Sequence, residues 1–142
     1  MMKPIKYDLR GVTVEQFATL FEPTSVENPA INVSVPVKTN YEERSFAVGV
    51  NVQFQENGVT FLVAEAYCHY EIERECWEEL SESGTKDVIL PKDFMDCMIR
   101  IGIGTLRGVI CAKTENTPFA KFYLPIIEVD NQEGEDFVFS KQ

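Results

Sequence analysis

A chain of 142 residues, 44% of them hydrophobic, is the size of one domain that can bury an ordinary core without cross-links. A formal net charge of −10, with no cluster of Lys and Arg to offset it locally, argues against a nucleic-acid partner. No run approaches the ~20 apolar residues of a membrane span, and the N-terminal "MMKPIKYDLRGV" has no apolar signal segment, so the expectation is a soluble, cytoplasmic protein without membrane insertion.

The N-terminal stretch reads as extended, with Ile5, Tyr7 and Leu9 on one side and, after a bulge at Gly11, Val12 and Val14. "TVEQFATLF" carries a second reading, a short helix capped by Thr13 with Gln16 at its third position. "INVSVPVKT" alternates cleanly and predicts a half-buried strand that Pro36 restricts to an edge or a bulge. "SFAVGVNVQF" places Phe46, Val48, Val50, Val52 and Phe54 on one face, and after the turn "ENG" comes the stretch "TFLVAEAYCHYEI". In that stretch Leu62, Ala64, Ala66, Cys68, Tyr70 and Ile72 form a wholly apolar set. The other set, Phe61, Val63, Glu65, Tyr67 and His69, is mixed, as though a partner rather than water met it. A slip of one residue exchanges the faces. A three-residue loop of Glu56, Asn57 and Gly58 pairs Val52 with Leu62, Val50 with Ala64, Val48 with Ala66 and Phe46 with Cys68, and keeps one face apolar.

The acidic connector "ERECWEELSESGTKD" contains a candidate helical turn at Trp77 and Leu80. Pro91 then suits the first position of a helix over 91–112, with Phe94, Met98, Ile101, Thr105 and Gly108 at three-to-four spacing. Gly102, Gly104 and Gly108 each cost ~1 kcal/mol in a helix interior. That cost predicts either a kink near Gly102 or close packing of Gly104 and Gly108 against the sheet or a second helix. "TPFAKFYLPIIEV" returns across the fold. Residues 128–142 read as an acidic tail of a single domain over 1–142, with an apolar patch at Phe137, Val138 and Phe139.

No phosphate-binding motif is present, and "GIG" at 102–104 lacks the preceding strand a phosphate cradle needs. Cys68, Cys76, Cys97 and Cys111 show no ligand-pair spacing, which predicts reduced, mostly buried thiols and no metal. His69 and Glu71 are i, i+2 neighbours on an outer strand face, better read as surface residues than as an acid/base pair. Glu65 stands among Phe61, Val63 and Tyr67, and a solvated carboxylate is the ordinary reading.

"FEP" at 21–23, "TFLVAEA" at 60–66, "ILPKDFMDCM" at 89–98, "RG" at 107–108 and "PFAKFYLPII" at 118–127 together resemble, in order and spacing, the SecB family of export chaperones. The resemblance covers about residues 5–127. It implies an α+β fold in which a four-stranded antiparallel sheet carries one long C-terminal-half helix on one face, in subunits that assemble as homodimers or homotetramers. It also implies a cofactor-free, non-enzymatic holding chaperone for unfolded or precursor polypeptides, with a translocase ATPase or an antitoxin as further partners. By the same resemblance Val63, Glu65 and Glu22 match partner-contacting positions, and Phe61 and Tyr67 share the face of the first two. The chain departs from the family at Ala18, where an acidic contact is expected, in a longer helix before its "RG", and in a tail without the periodicity of a lid helix. Two further classes compete: a small-molecule enzyme or binder with a hotdog-like or cystatin-like fold carrying Glu65 or His69 in a cleft, and a structural assembly subunit. The late position of the helix argues against the former.

Overall fold

Residues 4–24, 28–81, 87–129 and 137–140 are described by a computed structural model. The N-terminal stretch forms one edge strand, β1 (Tyr7–Thr19), so the helical alternative for "TVEQFATLF" does not occur. Bulges fall between Leu9 and Gly11 and between Val14 and Gln16, and each extra residue restores the apolar set to the same face. The segment "INVSVPVKT" is divided at Val35 and Pro36 into β2 (Ala30–Ser34) and β3 (Val37–Asn40). Both pair with β4 (Ser45–Glu56), and between them Gly49 N–H donates to the Pro36 carbonyl at 2.8 Å. Proline has no N–H to return that bond, so it interrupts the ladder at an edge. With β5 (Val59–Ile72) the order is β1-β5-β4-β2, and β3 continues the β2 edge. Five strands therefore occupy the four places expected.

The β4–β5 hairpin keeps the expected faces with a different register. Asn57 and Gly58 both have positive φ, 52° and 81°, and form a two-residue turn that pairs Glu56 with Val59. Such a turn alone would scatter polar residues over both faces, but Phe61 is an extra residue between Thr60 and Leu62 and corrects the parity. Val52 pairs with Ala64, Val50 with Ala66 and Val48 with Cys68, two residues away from the expected partners.

After β5 about two turns of helix, α1 (Arg74–Leu80), bury Trp77. β6 (Asp87–Leu90) follows, then α2 (Lys92–Thr114), an unbroken 23-residue helix with Pro91 as its N-cap. α2 packs on β4 and β5. Its buried face is Met95, Met98, Gly102, Ile103, Leu106 and Ile110, rotated from the expected row of Phe94, Met98, Ile101, Thr105 and Gly108. Gly102 is the glycine that needs to be small, because a Cβ there would lie 3.0 Å from Val50 Cγ2. Gly104 and Gly108 face outward, so they do not approach Ala64 and Ala66. Cys97 and Cys111 are also exposed on α2; only Cys68 is fully buried, contrary to the expectation of mostly buried thiols.

The apolar patch of the acidic tail lies in a strand, and the chain that leads to the tail joins the core. Phe122 and Leu124 are buried against Phe54 and Phe61, and β7 (Phe137–Ser140) pairs with β6. A second cluster, around Tyr70, Ile72, Trp77, Leu90 and Met98, joins α1 and β6 to the far end of the sheet.

Candidate functional site

Two surfaces of the sheet are available to partners. The first is the face turned away from α2, where the mixed set of β5 lies. Phe61 does not belong to it. At the bulge its ring turns with Leu62 toward the core, 4.9 Å from Phe122 and 6.2 Å from Phe54, and it is fully buried. The expectation of an outward Phe61 is therefore corrected. Val63, between Gln53 and Ala18, is only 7% exposed, and Tyr67 only 5%. The Tyr67 ring lies over Gly49, where a Cβ would come within 2.6 Å of it, and Lys38 Nζ stands 4.3 Å from its centroid. Burial pushes the Tyr67 hydroxyl pKa up, with the negative charge of Glu65 and then Glu15 adding to the shift.

Polar side chains on this face largely satisfy one another. Asn51 Nδ2 donates to Glu65 at 2.9 Å across the strand pair, so Glu65 is half-buried and partnered rather than freely solvated. His69 Nε2 is 2.8 Å from Thr13 Oγ1, which donates to Glu15 at 3.1 Å. Glu71 is held by Arg10 at 3.2 Å and Arg44 at 3.5 Å. A shallow depression of about 550 Å³ between Arg10, Lys38, His69 and Glu71 is open and mixed in charge. Glu22 is exposed on the segment after β1, beside Phe21, whose ring lies 6.1 Å from that of Phe61. Glu22, Phe61, Val63, Glu65 and Tyr67 are thus not brought together into one apolar docking patch. Among the described residues no three His, Cys, Asp or Glu side chains gather as metal ligands, and no helix is long and apolar enough to cross a membrane.

The second surface is the α2 side of β1. Tyr7, Leu9, Val12 and Val14 pair with Ile72, Tyr70, Cys68 and Ala66 of β5, whose side chains are covered by the helix. The helix touches β1 only toward its ends, through Phe94 on Tyr7 and Lys113 over Phe17, and leaves the middle of the strand uncovered. Leu9 is therefore 55% exposed, Val12 45% and Val14 44%, along a 13-residue strand whose outer backbone edge pairs with no other strand among the described residues. Ile101 continues the patch on α2, and Thr105, accepting from the Cys68 thiol at 3.6 Å, lies beside it. At the end of this strip Tyr7 packs edge-on against Tyr70 and Phe94. Tyr70 is itself buried, and among the described residues its hydroxyl makes no hydrogen bond of good geometry, with the Cys68 thiol as its polar neighbour. Burial pushes its pKa far up, with Cys68 and Tyr7 contributing. The alternation of Tyr7, Leu9, Val12 and Val14 is visible in the sequence; that the helix leaves Leu9, Val12 and Val14 uncovered is not.

An antiparallel sheet with one long helix across one face, a short helix before it and an uncovered edge strand defines a SecB-like α+β fold. No family model and no curated protein sequence matches the chain. Among solved structures it is similar to a SecB-like chaperone of Mycobacterium tuberculosis in complex with a ChAD peptide from the HigA1 antitoxin. That similarity has a TM-score of 0.52 and 11% identity, over 85% of this chain and 90% of that one.

Proposed function

We propose that this chain is a cofactor-free holding protein that binds unfolded or incompletely folded polypeptide segments, acting by binding rather than by covalent catalysis. The carrying observation is the apolar strip of Leu9, Val12 and Val14 on a strand that, among the described residues, ends the sheet. An extended segment can add to such an edge through its backbone, while alternate side chains seat on the strip. The fold shared with a SecB-like chaperone that binds an antitoxin peptide supports the reading. A polypeptide of the antitoxin kind is the preferred client and an exported precursor the next. The working form in this reading is a dimer or tetramer that leaves the strip free for the client. The buried state of Val63 and Tyr67 lends no support to a translocase contact on the other face.

The test is suppression of aggregation. At stoichiometric amounts and without nucleotide, the protein keeps a chemically unfolded model protein in solution. The triple variant Leu9→Ser, Val12→Ser, Val14→Ser loses this ability while its melting temperature changes little, because truncating exposed side chains seldom costs more than ~0.5 kcal/mol. An inactive wild type, or a fully active triple variant, refutes the reading.

A further inference from the structure

On the flank of α2 away from β1, the helix and the returning chain enclose a cleft of about 370 Å³ lined by Arg100, Ile103, Arg107, Ile127, Glu128 and Val129. Arg100 and Arg107 lie roughly 200° around the helix from Thr105, which faces the β1 strip, so the two surfaces are separate. Three properties of this cleft point the same way.

The first is charge. Residues 97–114 of α2 contain no Asp or Glu in a chain with 23 of them. Among the described residues neither guanidinium has a carboxylate partner. Arg107 donates through Nε and Nη2 to the carbonyls of Leu124 and Pro125 at 2.6 and 2.8 Å, and the nearest polar partner of exposed Arg100 is Cys97 Sγ at 4.0 Å. Among the described residues Glu128, on the opposite wall, leaves two cations against one anion. The second is the free backbone of that wall: among the described residues, the main-chain groups of Ile126, Ile127 and Glu128 make no hydrogen bond. The third is its shape. Ile103, Ile127 and Val129 give the cleft an apolar floor, and Ile126, 91% exposed, stands at its rim.

We propose that this cleft is a second polypeptide subsite, selective for extended segments that carry carboxylates among apolar residues. The segment runs alongside residues 126–128 and exchanges backbone hydrogen bonds with them. Its apolar side chains seat on Ile103, Ile127 and Val129, and its carboxylates meet Arg100 and the free end of the Arg107 guanidinium. The net charge of −10 does not prevent this, because exposed charges beyond about 8 Å are largely screened at physiological salt whereas a contacting pair is not. The proposal rests on the polypeptide-binding reading above and gives it a sequence preference that the β1 strip, being uncharged, does not supply.

The experiment measures fluorescence anisotropy at 0.15 M salt with labelled nine-residue peptides of Val and Leu containing two Glu, two Gln or two Lys. The Glu peptide binds at least tenfold more tightly than the Gln peptide, and the Lys peptide binds most weakly. Arg100→Gln brings the Glu and Gln peptides together, and Arg100→Glu reverses the order, without a change in melting temperature since Arg100 is exposed. N-methylation of alternate peptide nitrogens weakens binding at least tenfold. The preference persists in the Leu9, Val12, Val14 triple variant. Equal binding of the three peptides, binding of none, or an order unchanged by Arg100→Glu overturns the proposal. If aggregation suppression survives that result, the general chaperone reading stands; if suppression is absent while the Arg100-dependent preference is present, that reading falls and this subsite remains.

Discussion

Replacing each of the three helix glycines by alanine separates packing from propensity on α2. Gly104 and Gly108 have room for a methyl group: the nearest atom to a Cβ at Gly104 is Arg107 Nη1 at 3.9 Å, and nothing lies within 4 Å at Gly108. Alanine at either site should therefore gain the full helix-propensity difference, ~1 kcal/mol, a rise of about 3 °C for a chain of this length. Gly102→Ala gains the same ~1 kcal/mol from the backbone and loses ~1 to 3 kcal/mol from pressing Val50 Cγ2, so its net effect is neutral to destabilising. Urea unfolding followed by circular dichroism, repeated over a range of protein concentrations, gives the subunit term free of assembly. A concentration-independent loss at Gly104→Ala or Gly108→Ala, together with a gain at Gly102→Ala, would place the wrong face of the helix against the sheet and refute the packing described here.

The bulge makes Phe61 a core residue, so Phe61→Ala should cost ~3 to 5 kcal/mol in urea unfolding, well above Val63→Ala on the opposite face; similar small costs at both would return Phe61 to the outer surface. Tyr67 and Tyr70 both have raised hydroxyl pKa values, so the folded protein holds their protons above the ordinary value of 10 more tightly than the unfolded chain. Their contribution is complete below pH 10 and falls as pH rises above it. Tyr70→Phe, which removes a buried hydroxyl that makes no hydrogen bond of good geometry among the described residues, should keep or raise stability at neutral pH and lessen the alkaline loss, as read from melts between pH 8 and 11; steeper alkaline unfolding in this variant would count against the burial argument.

Period-two alternation determined much of this protein without any tertiary information. The apolar faces of β4 and β5, the bulge at Gly11, the edge position of the segment containing Pro36 and the helix after Pro91 all follow from side-chain pattern and from backbone limits carried by single residues. The resemblance of scattered motifs to the SecB family likewise pointed to the fold observed. The register escaped because a two-residue turn followed by a bulge and a three-residue loop keep the same faces, and polarity alone does not distinguish them. The buried row of α2 escaped for a related reason: apolar or small residues surround most of the helix, so three-to-four spacing fits more than one row, whereas packing selects the larger side chains to fill the space over Val50 and Ala64. Tertiary structure alone decided the candidate sites. Leu9, Val12 and Val14 carry an ordinary strand pattern, and their exposure arises because a single helix, with side chains about 10 to 12 Å across, covers the β4–β5 pair and stops short of the middle of the next strand. Arg100 and Arg107 face Ile127 and Val129 across a cleft only because Arg107 fastens the returning chain at Leu124 and Pro125, a contact between residues 17 and 18 positions apart that no local pattern records.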